Sequence, residues 1–312
     1  MRRRGAPAVD TAVRVGSLTL PNPVMTASGT GGHGAELHAY QPLGDLGAVV
    51  VKSLSADPWP GNPAPRVHAT PAGMLNSVGL QGPGVSAWLA DDLPALRATG
   101  ARVVASIWGR SVEDYGRAAA ALADAPPEVV AVEVNLSCPN TEAGRDLFAH
   151  DPEATAAVVA ATAACGRPRW AKLSPNTPRV AEVAAAAAGA GAEAVTLVNT
   201  VMGMAIDPET RTYRLGAGER GGGLSGPAIH PVAVRVVHDV HRAHPDLPIV
   251  GVGGVVDGAS AVELLLAGAS AVQVGTATFA DPRAPGRVAR DLEHWCHRRG
   301  IASVAELTGG LR

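Results

Sequence analysis

The sequence predicts an α/β fold, a single-domain (β/α)8 TIM barrel, and three observations support it. Eight short apolar runs alternate with longer segments of helical periodicity, which is typical of parallel strands joined by crossover helices. The runs are apolar at nearly every position, as expected when both faces of a sheet are covered. Eight such units fit a closed barrel better than an open sheet, and 312 residues suit one barrel domain spanning residues 1–312.

The elements follow in a regular order. The predicted strands are Val24–Ala27, Ala48–Ser53, Arg102–Ile107, Ala131–Leu136, Trp170–Leu173, Ala194–Asn199, Pro248–Val252 and Ala271–Gly275. The predicted helices are Val85–Ala98, Ser111–Ala123, Pro152–Cys165, Pro178–Ala190, Pro231–His244, Gly258–Ala267 and a solvated last helix over Arg287–Arg299. Good N-terminal signals open three of them: Ser111 with Asp114, Asp151 before Pro152, and Asp257.

Three further segments depart from the repeating unit. Val13–Leu20 alternates around Gly16-Ser17 and predicts an N-terminal hairpin that caps the barrel bottom. The connections Leu54–Ser86, after strand two, and Val201–Ile229, after strand six, are too long for plain loops. Long loops in compact domains are usually functional, so we expect both to contribute to a site.

Composition excludes several classes of function. A net charge of −2 and 3% aromatic residues argue against nucleic acid as a partner. No apolar stretch is long enough to cross a bilayer, and no signal-peptide core follows the basic start, so we expect a cytoplasmic protein without membrane contact. The three cysteines, Cys138, Cys165 and Cys296, are too dispersed for a disulfide framework or a metal site. Cys165 and Cys296 fall in predicted helices and are interpreted as buried structural residues.

Small and polar residues follow the predicted strands, at the barrel end that carries the chemistry in such folds. They are Ser28, Lys52, Ser53, Asn135, Cys138, Asn140, Lys172, Asn199, Thr200, Gly253, Gly254, Gly275 and Thr276. Two lysines, several amides and a cysteine that converge on one barrel mouth indicate a site and not packing. Gly253-Gly254 and Gly275-Thr276 are expected to open the helices after strands seven and eight, where backbone N–H groups bind phosphate. Two tight turns are the alternative for the glycines alone.

Five motifs resemble the class 1 dihydroorotate dehydrogenases. They are Asn135-Leu136-Ser137-Cys138-Pro139-Asn140, Gly73-Met74-Leu75-Asn76-Ser77-Val78-Gly79-Leu80-Gln81, Gly61-Asn62-Pro63-Ala64-Pro65-Arg66, Gly222-Gly223-Leu224-Ser225-Gly226-Pro227-Ala228 and Lys172-Leu173-Ser174-Pro175. The second is most similar to class 1B, the catalytic subunit of the NAD-dependent enzyme. The match runs from about Val13 to Phe279.

The resemblance implies an FMN-containing barrel that oxidises dihydroorotate to orotate in pyrimidine biosynthesis. FMN would be held by Ser28, Lys52, Ser53, Ser106, Asn135, Lys172, Val198, Gly226, Gly253, Gly254, Gly275 and Thr276. The substrate would be surrounded by Lys52, Asn76, Ser77, Val78, Gly79, Leu80, Asn135, Asn140, Asn199 and Thr200, with Cys138 as the catalytic base and Lys172 as a second catalytic residue. It also implies a homodimer core and a partner subunit that carries FAD and a [2Fe–2S] cluster and passes electrons to NAD.

The residue types suit this chemistry. A thiol needs tuning to remove a carbon-bound proton, and Pro139 restricts the backbone beside Cys138. An ammonium at position 172 favours the negative charge that a flavin gains on reduction. Amide side chains offer both donors and acceptors to a flat ring with alternating carbonyl and N–H edges. The stretch Thr141–His150 is either a lid over Cys138 or an ordinary exposed loop.

Two positions depart from the family pattern, and the alternatives stay open. Ser106 and Gly82 stand where Asn is common, which weakens individual contacts. A class 1A-like enzyme that uses fumarate, a paralogue acting on another dihydropyrimidine, and a non-catalytic FMN-binding subunit are the alternatives. His33, His68, His150 and His230 lack metal-ligand spacing and are expected at the surface or in turns.

Overall fold

The computed structural model describes residues 8–137 and 147–312. Its strands are β1 (Val13–Val15), β2 (Leu18–Leu20), β3 (Val24–Thr26), β4 (Val49–Val50), β5 (Val67–Thr70), β6 (Gly73–Asn76), β7 (Val103–Ile107), β8 (Val129–Asn135), β9 (Arg169–Lys172), β10 (Ala194–Leu197), β11 (Val201–Gly203), β12 (Ile206–Asp207), β13 (Thr212–Tyr213), β14 (Gly222–Ser225), β15 (Ile249–Val252) and β16 (Ala271–Val274). Its α-helices are α1 (Val85–Ala87), α2 (Leu93–Ala98), α3 (Val112–Ala120), α4 (Pro152–Ala161), α5 (Val180–Gly189), α6 (His230–Ala243), α7 (Gly258–Ala267), α8 (Ala277–Ala280) and α9 (Ala284–Arg299).

Eight parallel strands form the predicted barrel. Their order is β3-β16-β15-β10-β9-β8-β7-β4. A parallel bridge between Met25 and Ala48 brings the two end strands, β3 and β4, together. The buried Thr26 hydroxyl reinforces this seam, because it donates to Val50 O (3.1 Å) and accepts from Val50 N (2.8 Å). The predicted (β/α)8 barrel is therefore confirmed.

The barrel strands are buried on both faces, as their nearly continuous apolar runs predict. Every residue of β7, β10, β15 and β16 is buried. One continuous hydrophobic cluster extends from Val9 to Leu307 and includes side chains from both layers. The strands consequently leave few positions for polar side chains except at their ends.

The second barrel strand is shorter than predicted. The prediction was Ala48–Ser53, whereas β4 covers only Val49–Val50. The backbone N–H of Lys52 donates to Gly32 O (2.9 Å) and not to the neighbouring strand, while Leu54 N donates back to Ser106 O (2.8 Å). The backbone pairing with the neighbouring strand is thus interrupted at Lys52, the strand-end residue that was predicted to belong to the site.

The predicted helices form, with small changes at their ends. Ser111, Asp151 and Asp257 each accept a hydrogen bond from the first turn of α3, α4 or α7, as the N-terminal signals predict. The predicted helix Val85–Ala98 contains a π-helical turn over Trp88–Asp92, and the predicted helix Pro152–Cys165 ends in a 3₁₀ turn over Thr162–Cys165. Cys165 and Cys296 are fully buried in helical segments, as expected.

Both long connections contain strands of their own. The antiparallel sheet β11-β14-β6-β5 combines segments from the connection after strand two with segments from the connection after strand six. Its β14 reaches the barrel mouth, where the Ser225 hydroxyl accepts from Thr276 Oγ1 at 2.8 Å. At the other end, the hairpin β1–β2 lies against the start of β10, since Ser17 N donates to Glu193 Oε2 (2.8 Å). This is the predicted capping hairpin.

The described ranges contain no helix that is both long and apolar enough to span a membrane. The same ranges contain no group of three or more His, Cys, Asp or Glu side chains placed to hold a metal ion.

Candidate active site

Lys172 occupies the centre of the barrel, near its mouth. Its ammonium contacts three acceptors: Ser28 Oγ at 3.0 Å, Glu133 Oε1 at 3.2 Å and Gln273 Oε1 at 3.3 Å. Lys172 ends β9 and Glu133 lies within the adjacent β8; both side chains are buried, so they form a buried ion pair. The other Glu133 oxygen accepts from Gln273 Nε2 (2.6 Å) and Thr196 Oγ1 (3.2 Å), which leaves the carboxylate bonded on both oxygens.

Asn135 joins the predicted flavin and substrate residues. Its side-chain amide donates to Ser53 Oγ (3.2 Å), and its side-chain carbonyl accepts from Asn199 Nδ2 (3.1 Å). The Ser53 hydroxyl is 2.8 Å from that of Ser106. The Tyr115 hydroxyl donates to Asn135 O at 2.6 Å and fixes the strand end beneath it. The amide of Asn135 is therefore held in one orientation by its neighbours on both sides.

The antiparallel sheet brings Asn76 to Thr200. Asn76, at the end of β6, pairs with Gly223 of β14, and its Nδ2 donates to Gly223 O at 3.3 Å. Thr200 packs against the same glycine so closely that a Cβ on Gly223 would lie 2.0 Å from Thr200 Oγ1. The two predicted substrate residues thus both contact Gly223, a position that has no space for a side chain.

The segment from Trp59 to Arg66 holds the predicted substrate loop. Trp59 Nε1 donates to Gly79 O (3.0 Å), and Asn62 donates through its backbone N to Val78 O (3.0 Å) and through Nδ2 to Ser77 O (3.0 Å). Arg66 donates to Asn62 O and Gln81 Oε1. Leu80 has a φ of +61°, a left-handed conformation that is strained for a non-glycine residue and is typical of ligand clamps.

Lys52 lines a cavity of about 550 Å³ together with His33, Gln81, Gly82, Pro83 and Asp92. Burial, with a smaller effect of the nearby Arg66 cation, lowers the pKa of the Lys52 ammonium. Burial and the Lys52 charge lower the pKa of His33, against the opposing effect of Asp92 and Glu36. The buried His33 Nε2 has no hydrogen-bond partner among the described residues. His33 lies in a turn, as expected, but its half-buried side chain faces the cavity beside Lys52, a contact that the sequence did not predict.

The predicted phosphate residues converge where β14, β15 and β16 end. Gly226, Gly253 and Gly254 have φ of +94°, +135° and +70°, and a Cβ on Gly254 would lie 3.0 Å from Gly226 O. A Cβ on Gly226 would lie 3.5 Å from Thr276 Cγ2, so the three turns meet. Within the described ranges, the backbone N–H groups of Gly254 and Thr276 have no backbone acceptor.

One expectation about these glycines is wrong. Gly253-Gly254 does not open the following helix, because α7 begins at Gly258 behind the capping box of Asp257. Instead the glycine turn is fastened from the side by His230, whose Nδ1 is 2.8 Å from Gly253 O and whose Nε2 is 2.9 Å from Glu263 Oε2. Thr276 does precede a helix, α8.

The remaining predicted residues divide into three groups. Cys138 and Asn140, and most of the predicted lid Thr141–His150, lie outside the described residues. Ser106 is fully buried beneath Ser53 and reaches the site only through that hydroxyl. Val198 is buried and directly follows β10, and its N–H donates to Val252 O (2.7 Å). Gly275 directly follows β16 and lies beside Ala27.

Sequence reasoning missed the polar residues inside the barrel. Glu133, Gln273 and Thr196 are all fully buried around Lys172. The sequence did contain an indication of them, because Glu133 and Gln273 interrupt otherwise apolar strands. A charge buried within a strand requires a partner. Arg66 and His230 carried no comparable signal, since their role depends on contacts across long stretches of sequence.

The arrangement offers a flat ligand three kinds of contact. Lys52 and Lys172 supply cations at two points of the mouth, and the connected amides supply donors and acceptors. The glycine turns supply free backbone N–H groups for an anion. A planar, hydrogen-bonding ligand with a phosphate fits these features better than a metal ion or a nucleic acid does.

Comparisons with known proteins agree with this geometry. Residues 11–296 match the family model described as dihydroorotate dehydrogenase. A protein of Trichlorobacter lovleyi named dihydroorotate dehydrogenase B (NAD(+)), catalytic subunit, is 48% identical over 96% of this chain and 98% of its own. Proteins with the same name from Desulforudis audaxviator and Geobacter sulfurreducens are 49% and 46% identical, over 96% and 97% of this chain and 97% and 98% of theirs.

Proposed function

Because the chain belongs to the dihydroorotate dehydrogenase family of flavin-dependent oxidoreductases, we propose that it oxidises dihydroorotate to orotate with FMN, as a catalytic subunit in pyrimidine biosynthesis. The observation that carries this proposal is the convergence of Lys172, Asn135 and Asn199 at one barrel mouth, beside a glycine turn with free backbone N–H groups. Near-complete coverage of relatives that are named catalytic subunits supports the reaction assigned to them.

The described residues fit FMN. The N–H groups of Gly254 and Thr276 suit its phosphate, and a side chain on Gly253 or Gly254 would collide with α6. Lys172, which donates toward Ser28 at the mouth, suits the pyrimidine edge of the ring. When bound, the flavin accepts the hydride that leaves C6 of the substrate.

The protein's own residues would bind the substrate and remove a proton. Asn76, Asn135, Asn199 and Thr200 would hold the pyrimidine ring, and Lys52 would pair with its carboxylate. Cys138 Sγ would accept the proton from C5, which breaks the C5–H bond as the hydride leaves C6. Ser77, Val78, Gly79, Leu80 and Asn140 would complete the pocket.

A partner subunit completes the proposal. The chain has three cysteines, too few for the four ligands usual in a [2Fe–2S] cluster, so electrons need another protein to reach NAD. We assign FAD and the cluster to that partner, around a homodimer of this chain. Exposed apolar side chains on the connection after β10, namely Met202, Met204, Ile206 and Tyr213, provide surface for subunit association.

The test follows the colour of the flavin. The isolated chain should release FMN on denaturation, bleach anaerobically with dihydroorotate and fail to reduce NAD until the partner is added. A colour that persists with dihydroorotate would favour a paralogue or a non-catalytic flavin subunit. Rapid turnover of the lone chain with fumarate, with no gain from any flavin–iron–sulfur subunit, would refute the partner assignment.

A further inference from the structure

Glu133 is a fully buried carboxylate to which the proposed reaction assigns no role. It lies on β8 two residues before Asn135, and its side chain points into the barrel. Its Oε1 accepts from Lys172 Nζ at 3.2 Å. Its Oε2 accepts from Gln273 Nε2 at 2.6 Å and from Thr196 Oγ1 at 3.2 Å. Both oxygens therefore have hydrogen-bond donors, which hold the carboxylate in one orientation.

Gln273 closes a ring with these two charges. Its Oε1 accepts from Lys172 Nζ at 3.3 Å while its Nε2 donates to Glu133. Because one end of the amide faces a cation and the other faces an anion, the amide can take only one orientation. The ring Lys172–Glu133–Gln273 is buried in full and has no net charge.

The ring determines where Lys172 directs its protons. An ammonium has three N–H donors, and two of them point inward, to Glu133 and Gln273. The third points to Ser28 Oγ at 3.0 Å, and Ser28 is partly exposed at the mouth. All three donors thus have protein acceptors, and the one shared with Ser28 is the donor directed at the mouth, while the Glu133 carboxylate balances the cation from inside the barrel.

We propose that Glu133 is a positioning residue that directs Lys172 toward the flavin and moderates its charge, so that it sets the flavin reduction potential. This inference rests on the proposed function. Negative charge accumulates at the pyrimidine edge of a flavin on reduction, and an unbalanced ammonium would stabilise it more strongly. Glu133 thus keeps the bound flavin less oxidising than Lys172 alone would make it, which favours electron transfer onward to the partner.

The experiment compares midpoint potentials of the flavin-loaded protein by equilibration with a reference dye. Glu133→Gln should raise the potential, with reduced flavin bound at least about tenfold more tightly relative to oxidised flavin, or about 30 mV for two electrons. Glu133→Asp keeps the charge but withdraws it from Lys172, so it should give a smaller rise. Glu128→Gln, at a partly exposed glutamate just before the same strand, should leave the potential unchanged.

The outcomes separate this inference from the proposed function. An unchanged or lower potential in Glu133→Gln would overturn the role of Glu133, even if the protein binds flavin and bleaches with dihydroorotate. If Glu133→Gln does not fold, the sign of the shift in Glu133→Asp decides in the same way. A purely structural role would lower the melting temperature and the flavin content without raising the potential. A wild-type chain that binds no flavin would instead refute the proposed function.

Discussion

Lys172→Met tests whether the buried ion pair is a coupled unit, without any reference to the cofactor. In the wild-type chain the Lys172 ammonium lies 3.2 Å from Glu133 Oε1, with both side chains almost completely buried. The methionine side chain has a similar length but no charge, so it leaves the Glu133 carboxylate with only Gln273 and Thr196 as partners. An uncompensated buried charge costs much more than the loss of an ordinary contact.

The expected loss can be worked out from the burial of the pair. Removing one partner of a buried pair typically costs about 3–5 kcal/mol. At roughly 2 °C per kcal/mol for a chain of this size, the melting temperature of flavin-free protein should fall by about 6–10 °C. The double variant Lys172→Met/Glu133→Gln removes both charges, so it should be more stable than Lys172→Met alone. The measurement is thermal unfolding of the apoprotein by circular dichroism.

An exposed ion pair provides the matched control. Arg97 and Glu128 are 3.0 Å apart, but both side chains are substantially exposed, so Arg97→Met should change the melting temperature little. The reasoning fails if Lys172→Met melts with the wild type. It also fails if the effects of Lys172→Met and Glu133→Gln simply add in the double variant, because coupling is what a buried pair predicts.

Three further predictions concern the cofactor turn, the cavity and the base. Gly254→Ala places a Cβ 2.6 Å from His230 Cβ at a φ of +70°. The affinity for FMN, measured by equilibrium dialysis, should therefore fall at least about tenfold. The control Gly189→Ala, which adds a Cβ in open space, should bind FMN normally. Because burial lowers the pKa of Lys52, the ammonium is lost as pH rises sooner than at an exposed lysine, and the KM for dihydroorotate should rise on the alkaline side. Lys52→Gln should raise KM at all pH values and abolish that alkaline rise; an unchanged pH profile would contradict the assignment. Cys138→Ala should keep FMN and bind orotate, yet its flavin should be reduced about 10²–10⁴-fold more slowly in stopped flow, and Cys138→Ser should retain some activity at high pH. Near wild-type reduction by Cys138→Ala would refute its role as base.

The barrel was predictable because its signals are local. Alternation of apolar runs with helical segments, and caps such as Asp257, are properties of short stretches and survive in the structure. The sheet at the mouth was not predictable in the same way. Met74 pairs with Ser225 across 151 residues, and no local periodicity encodes that register. Only the excessive length of the two connections indicated that they contain structure.

The candidate site was predictable where its residues stand at strand ends. Parallel strands direct their carboxyl ends to one edge, so Asn135, Lys172 and Asn199 had to meet once the barrel was assumed. The interior partners of Lys172 could not be located this way, because a polar residue within a strand does not reveal which neighbour it faces. The contact of His33 with the cavity was unpredictable for a related reason: the hydrogen bond from Lys52 N to Gly32 O depends on the path of a loop.

The side chain of Asn135 links the predicted flavin side of the site to the predicted substrate side through hydrogen bonds. One end of its amide is fixed by Ser53, on the predicted flavin side, and the other end by Asn199, on the predicted substrate side. Asn199 in turn accepts from Thr200 N through Oδ1 at 2.8 Å, and Asn176 Nδ2 donates to Thr200 O at 3.0 Å. Reversing the Asn135 amide would bring its NH2 group against Asn199 Nδ2 and Ser137 N, which both donate to Oδ1 in the observed orientation. Substitution at Asn135 should therefore impair flavin and substrate binding together, whereas substitution at Asn76, whose side chain bonds only to Gly223 among the described residues, should affect the substrate alone.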